Sequence, residues 1–535
     1  MIQEEAFENR MIDLAVLRSS ILSEFTEEEQ EKYFSRNKNS VRSHIDTLYY
    51  TVSIVNDQNY TEDAGMLAML AELLYNKQRK QTSPAESVDY FGLSVELGSF
   101  SGYEYRLCYP EMYDIFIARW LPNDDTPRIV VQLRTRSLVL DGPRGAIEKS
   151  FDHVVKMLDA YGLRVREVKE NRVDYAYHTN IIQNPMKYFN DDMLVKHLSS
   201  TLSIYSKYGS IGEEITLDTL NLGSRKSNNV YFRCYNKTRE VVEKAYKSFF
   251  IEKWQKDGLI SEYDRYVLEY AYRTASFRSG VLVGKCKWYI EFGKNEERKE
   301  QLRALLQKCH VNSDNNHHLE KQIAGVLPPI TTIMNVEYQT KRKFYLSFDK
   351  QIEDVAKKAD APKHLGRLFG ILLLRDAIQK YLTKASVSFV EDKKADPEER
   401  KFCSWWQRIH SCKITDVGDF DGLIRTRELR SDVEKTKRRI YSGIAHLSIL
   451  RNCSVEERSF REDIQDALCY FNDNDFYGFA ADPDGKEIRM NPKEYDTIRK
   501  RKARQDKGLI SSAVLFKQGL QSDVERIERE NQENL

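Results

Sequence analysis

Residues 230–237 read Val-Tyr-Phe-Arg-Cys-Tyr-Asn-Lys, and residues 219–225, just upstream, read Thr-Leu-Asn-Leu-Gly-Ser-Arg. Both runs are apolar, β-branched or aromatic at alternate positions. The turn-prone segment Gly223–Asn229 separates them, so they read as two paired strands. Successive side chains of a strand point to opposite faces. Val230, Phe232 and Cys234 therefore share one face, while Tyr231, Arg233, Tyr235 and Lys237 share the other.

The same reading extends outward. Asp46–Ile54, Ile115–Trp120, Ile129–Leu138, Arg172–His178, Tyr266–Arg273 and Asn335–Leu346 have strand character, and Thr216–Leu222 completes the pair above. Between them the pattern predicts helices at Asp63–Leu74, Ala146–Tyr161 (ended by Gly162), Met193–Ile204 and Val241–Gly258. Strands followed by crossing helices point to an α/β or α+β domain over residues 44–350. Residues 2–34 read as an amphipathic helical segment, with Phe7, Met11, Leu14, Leu17, Ile21 and Phe25 on one stripe, which makes 1–43 an N-terminal helical cap. Residues 351–535 read as mostly helical: Lys363–Lys384 carries a continuous apolar stripe, and Arg425–Arg438, Arg461–Phe471, the basic cluster Arg499–Lys507 and the tail Val524–Asn534 follow. Lys435–Arg439 and the other charge runs fit DNA recognition, an oligomer interface or a solvated face.

Composition narrows the class. The 535 residues carry 83 Lys and Arg against 82 Asp and Glu, a net charge of +1, so a globally basic nucleic-acid coat is excluded and any polyanion site is local. The eight cysteines are scattered without a CxxC pair, the opening residues are acidic and polar, and no apolar run approaches the length of a membrane span. A reduced, cytoplasmic protein without a membrane partner is expected.

Several familiar chemistries are missing from the sequence. Gly280-x3-Gly284-Lys285-Cys286 is one residue short of a phosphate-binding loop and has Cys where the magnesium-holding Ser or Thr belongs. GxGxxG, HExxH and GxSxG do not occur. Cys309-His310 with His317-His318 lacks the paired spacing of a zinc site and reads more simply as a polar loop.

The strands suggest a site of another kind. Arg172, Asp174, Ala176 and His178 share a face, as do Val267, Glu269, Ala271 and Arg273, and Val130, Gln132, Arg134 and Arg136. If these strands are neighbours, one face gathers Asp, Glu and His, which suit a hard divalent ion, with Arg and Lys, which suit phosphate oxygens. Ala176 and Ala271 leave room for a backbone to approach. The bland alternative is a solvated sheet face. On the sharper reading, Arg233 and Lys237 favour the Tyr235 phenolate, and a metal polarises a phosphodiester for its attack. The phosphotyrosyl product conserves the bond energy and needs no ATP.

The run Thr219–Arg225 followed by Phe232-Arg233-Cys234-Tyr235-Asn236-Lys237 resembles the signature of the Rep_trans family: a GxR turn, then an RxYNK strand. These are the rolling-circle replication initiators of Gram-positive plasmids, with the related relaxases of integrative conjugative elements. Arg172-Val173-Asp174-Tyr175-Ala176 is similar to the family's R-x-D-x-A strand, and Val267–Arg273 to its later acidic strand. The resemblance covers residues 44–350. It implies an α+β fold with a central, mostly antiparallel sheet flanked by helices, and a metal-dependent, site-specific DNA nicking and joining activity. Tyr235 would be the nucleophile and remain on the 5′ end. Asp174, His178 and Glu269 would hold one Mg²⁺ or Mn²⁺ ion, with His178 standing where the family pattern has an acid. Arg233, Lys237, Arg134, Arg136 and Arg172 would contact phosphates. Origin DNA, a host helicase and polymerase, and a second copy of the chain at the origin are the implied partners. The competing readings are a non-catalytic DNA-binding regulator that keeps the sheet, and a scaffold with no DNA affinity.

Overall fold

A computed structural model describes residues 21–414 apart from 308–326 and several shorter internal stretches, together with 422–423 and the strand residues 479–481 and 487–489. The chain divides into two compact units, Met1–Leu346 with Lys350–Gly422, and Ser347–Asp349 with Leu423–Leu535. In the second unit, Phe479–Ala481 and Glu487–Arg489 form an antiparallel pair. Residues 350–422, which the sequence groups with a C-terminal region, belong to the first unit.

The first unit is built on an eleven-stranded antiparallel sheet, so the fold is α+β as expected. Its strands, with those of a small side pair, are β1 (Val41–Ile54), β2 (Asp89–Tyr90), β3 (Leu93–Glu96), β4 (Tyr105–Tyr109), β5 (Tyr113–Ile117), β6 (Ile129–Leu133), β7 (Val165–Thr179), β8 (Leu194–Lys196), β9 (Ile204–Ile211), β10 (Glu214–Leu222), β11 (Val230–Asn236), β12 (Met334–Lys341) and β13 (Val387–Phe389). The spatial order is β2-β3-β4-β5-β6-β1-β7-β12-β11-β10-β9, and β8 pairs with β13 apart from it. Gly223, at φ +89°, supplies the left-handed backbone at the end of β10.

The two faces of the sheet differ because the strands alternate. On one, Leu48, Tyr50, Val131, Leu133, Val173, Tyr175, Phe232, Cys234 and Tyr338 are buried. Helices cover it. These include Gly142–Asp159, whose Ser150 hydroxyl bonds that of Tyr50 at 2.8 Å, and Gly366–Leu373, whose Arg367 pairs with the buried Glu170. Trp406, from the helix Ser404–His410, packs its ring 6.5 Å from Phe232. The opposite face carries the charges.

Between β11 and β12 the chain inserts a helical block: α1 (Lys237–Glu243), α2 (Phe249–Lys256), α3 (Glu262–Arg273), α4 (Phe277–Phe292) and α5 (Glu296–Gln307). Phe250, Trp254, Leu259, Leu268 and Ile333 form one of its cores, and Phe25, Tyr263, Trp288 and Tyr289 another.

Several sequence expectations are corrected here. Tyr266–Arg273 is helical, not a strand. Ser261 and Asp264 form a capping box, and Tyr263, Val267, Leu268 and Ala271 bury one helical face. The expected helix Met193–Ile204 is replaced by strand at Leu194–Lys196, and Val241–Gly258 breaks into two helices. Ile129–Leu138 stops as a strand at Leu133, where a short helix, Thr135–Leu140, begins. The near miss to a phosphate loop lies inside α4. A Cβ on Gly280 would stand 2.8 Å from the Ala271 Cα, and one on Gly284 3.0 Å from the Val267 carbonyl. These glycines serve close packing of α4 on α3. The expectations for residues 2–20, Arg425–Arg438, Lys435–Arg439, Arg461–Phe471, Arg499–Lys507, Val524–Asn534 and the Cys309–His318 cluster lie outside the described residues.

Candidate functional site

Register places the polar side chains in rows. Across β1, β7, β12 and β11, His44 faces Ala176, which faces Glu337, which faces Arg233. One row on, His178 faces Asn335, which faces Tyr235. One row the other way, Asp174 faces Gln339. Partners directly opposite in an antiparallel sheet point to the same side, so these residues share the charged face. The small Ala176 side chain lies at the centre, between His44 and Glu337. A β-bulge between Ile45 and Thr47 turns Asp46 onto this face as well.

Tyr235 is the hub. Its hydroxyl accepts from Asn335 Nδ2 at 2.9 Å and from Lys237 Nζ at 3.2 Å, and donates to Glu337 Oε2 at 3.4 Å. The Arg233 guanidinium lies 4.8 Å from its ring centroid. Lys237 opens α1, immediately after Asn236 caps it by accepting the Arg239 N–H. The ammonium is fully buried, donates to Tyr235 and to Asp46 at 3.3 Å, and forms an ion pair with Glu240 at 2.8 Å. The RxYNK run thus supplies a ring-flanking cation, the phenol, a helix cap and a buried ammonium.

Electrostatics separates the groups. Burial, with Glu337 and Asp46, raises the Tyr235 pKa above its ordinary value, although Lys237 and Arg233 pull it down. Cation assistance has the expected direction, but desolvation outweighs it and holds the phenol protonated. Lys237 keeps Asp46 well below the usual carboxylate range despite its burial. Glu337 moves the other way: burial, aided by Asp174 and Asp46 and opposed by Arg233, pushes it up to about 7. A carboxyl next to the phenol therefore titrates near neutrality.

The sequence-expected residues separate into two groups. Tyr235, Arg233, Lys237, Arg172 and Asp174 come together on one face. Arg172 clamps Asp174 through Nε at 2.7 Å and through Nη2, and Arg233 clamps Glu337 through two bonds of 2.8 Å. Arg134, Arg136 and Glu269 lie elsewhere. Arg134 caps the short helix after β6 and is bidentate to Asp114, roughly 19 Å from β11 at the usual strand spacing. Arg136 pairs with Glu111. Glu269 lies on α3 and pairs with Arg265 at 3.0 Å. His178 does share the Asp174 face, but about 13 Å further along the strand. There it packs between His44, Phe250 and Trp254 and accepts the indole N–H at 2.9 Å. Asp174, His178 and Glu269 therefore do not fit one metal ion, and among the described residues no three His, Cys, Asp or Glu side chains form a ready metal cradle. The three carboxylates of this face are each paired with a cation, Asp46 with Lys237, Asp174 with Arg172 and Glu337 with Arg233.

Sequence reading missed Asp46, Asn335, Glu337 and Gln339. The signal was present in β12, Met-Asn-Val-Glu-Tyr-Gln-Thr-Lys, where every second residue is polar. The Gln339 amide oxygen accepts from Arg225, from the GxR turn, at 3.3 Å.

No protein-family model matches this chain, and no curated protein matches it in sequence. Among solved structures, a rolling circle replication initiator protein from Geobacillus stearothermophilus aligns over 69% of this chain and 96% of its own, at 11% identity and a TM-score of 0.31. Among the described residues no helix is long and apolar enough to cross a membrane.

Proposed function

We propose that this chain is a site-specific DNA nicking and joining enzyme that initiates rolling-circle replication or transfer of a mobile element, with Tyr235 as nucleophile. The observation that supports this reading is the Tyr235 hydroxyl, held between the Lys237 ammonium and the Glu337 carboxylate in the middle of a charged sheet face. Tyr235 Oη forms a bond to a backbone phosphorus while the bond from phosphorus to the 3′-oxygen breaks. The phenol proton passes to Glu337, whose pKa of about 7 suits a base at neutral pH. The departing 3′-oxygen takes a proton from solvent and the resulting hydroxyl primes synthesis, while the 5′-phosphotyrosyl link stores the energy for rejoining. Lys237 steadies the phenolate as it forms. Arg233 and Arg172 flank the path of the strand and exchange carboxylate for phosphate oxygens, the same bidentate geometry serving both. Asp46 and Asp174 would offer oxygens to a divalent ion, which when bound would supply charge to the scissile phosphate, leaving Glu337 to take the proton.

The test is a supercoiled plasmid carrying the cognate origin, incubated with the protein and Mg²⁺ or Mn²⁺. Nicked circles with protein attached to the 5′ end are expected, and Tyr235→Phe should bind the origin yet leave it closed. Nicking by Tyr235→Phe at the normal rate would sink the assignment. A second reading, a non-catalytic origin-binding regulator, draws on the burial of the phenol, which keeps 8% of its surface. It requires origin binding by the wild-type protein with no nicking under any divalent ion.

A further inference from the structure

At the end of the charged face away from Gln339, a cavity of about 880 Å³ opens beside His44 and His178. Its walls carry six cationic side chains, Arg42, Arg144, Lys253, Lys358, Arg375 and Lys413, against the carboxylate of Asp257. That carboxylate is already taken by Lys253 at 2.9 Å. Arg375 is the most telling residue. It is 9% exposed, it has no carboxylate partner among the described residues, and its Nε has no hydrogen-bond partner. Its Nη2 reaches only the Ser43 hydroxyl, at 3.1 Å. One further buried nitrogen on the same wall has no hydrogen-bond partner, Nε2 of His178, while Nε2 of His44 lies 3.7 Å from Asp46 Oδ1. Because His178 Nδ1 accepts the Trp254 N–H, its Nε2 carries the proton and is a donor.

A buried guanidinium without an anion is costly, and buried donors are nearly always satisfied in folded proteins. Arginine and imidazole donors converging on one space match the oxygens of a phosphate. The rest of the lining is of another character: Trp254, Leu259, Phe369, Leu372 and Leu373 offer an aromatic and aliphatic wall. Cationic and apolar side chains line one volume of a size typical of small-ligand sites, which suits a phosphate attached to an apolar ring.

We propose that this cavity binds a single nucleotide by its phosphate, with Arg375 as the anion anchor and the half-buried aliphatic wall of Leu372 and Leu373 receiving the base. The site is separate from the Tyr235 hydroxyl and does not depend on the nicking reading. The probe is thymidine 5′-monophosphate, titrated calorimetrically into the full chain, with thymidine as the control lacking phosphate. The nucleotide should bind and thymidine should bind at least tenfold more weakly. Arg375→Met should weaken nucleotide binding at least tenfold. The double variant Lys358→Gln with Lys413→Gln, both exposed, should weaken it at least threefold. Lys294→Gln, at an exposed ion pair with Glu29 outside the cavity, should bind as the wild type does. Absence of nucleotide binding, equal affinity for thymidine, or undiminished binding by the exposed double variant would overturn the proposal. A loss of binding in Lys294→Gln equal to that of the double variant would mean a nonspecific charge effect and overturn it equally.

Discussion

Glu337 stands directly across the β11–β12 ladder from Arg233 and receives both Nε and Nη2 of its guanidinium, each at 2.8 Å. The same carboxylate accepts from Asn335 at 3.0 Å and faces the phenol of Tyr235. One acidic side chain thus joins the cation that draws a phosphate to the hydroxyl that would attack it.

The pH dependence follows from Glu337. As the proton acceptor it must be ionised, so nicking should rise with pH through about 7 and then level off. Glu337→Gln should lower the rate by about 10²-fold or more and remove that limb of the profile. Stability runs in the opposite direction. Burial raises the folded-state pKa from 4.5, so the folded chain binds the proton more tightly than the unfolded one. The stabilisation is complete below about pH 4.5 and disappears as pH rises through about 7. Urea denaturation at pH 6 and pH 8 should show the wild type losing more stability over that interval than Glu337→Gln.

Lys237 is a structural cation as well as a partner of the phenol. Lys237→Met leaves Asp46, which keeps only 5% of its surface, without its ammonium, while Glu240 retains Lys244 and Lys247. Breaking such a buried pair costs about 3–5 kcal/mol. Chemical denaturation should show a loss of this size, and adding Asp46→Asn should recover part of it. Additive losses in the double variant would mean that the two charges do not interact.

Glu269 and Asp174 separate sheet from helix. Glu269 is part of a partly exposed helical ion pair with Arg265, so Glu269→Gln should change stability by less than about 1 kcal/mol and leave nicking intact. Asp174 is fully buried against Arg172, and Asp174→Asn should reduce nicking at least tenfold. Side-by-side plasmid assays compare the two, and a severe defect in Glu269→Gln would contradict the helical placement.

The packing of α4 on α3 predicts a purely structural effect. Gly280→Ala drives a methyl to within 2.8 Å of the Ala271 backbone and should destabilise the chain by about 1–3 kcal/mol, as overpacking does. Nicking at low temperature should persist, because no group of the charged face is touched. Thermal denaturation checks the loss.

Sequence alone determined the alternation of β7 and β11, because period-two patterning fixes which side chains share a face wherever one face is apolar. That was enough to align Arg172 with Asp174 and to put Arg233, Tyr235 and Lys237 together. It did not decide between strand and helix over Val267–Arg273, where Val267 and Ala271 suit either period and the cap at Ser261 and Asp264 settles the matter. Tertiary structure alone decided which strands are neighbours. Asp46, Asn335 and Glu337 lie far from Tyr235 in the chain, and only the β1-β7-β12-β11 order brings them to its hydroxyl. It also decided the sign of the phenol's pKa shift. Neighbouring cations can be read from a sequence, but desolvation depends on how completely the rest of the fold excludes water, and here it prevails.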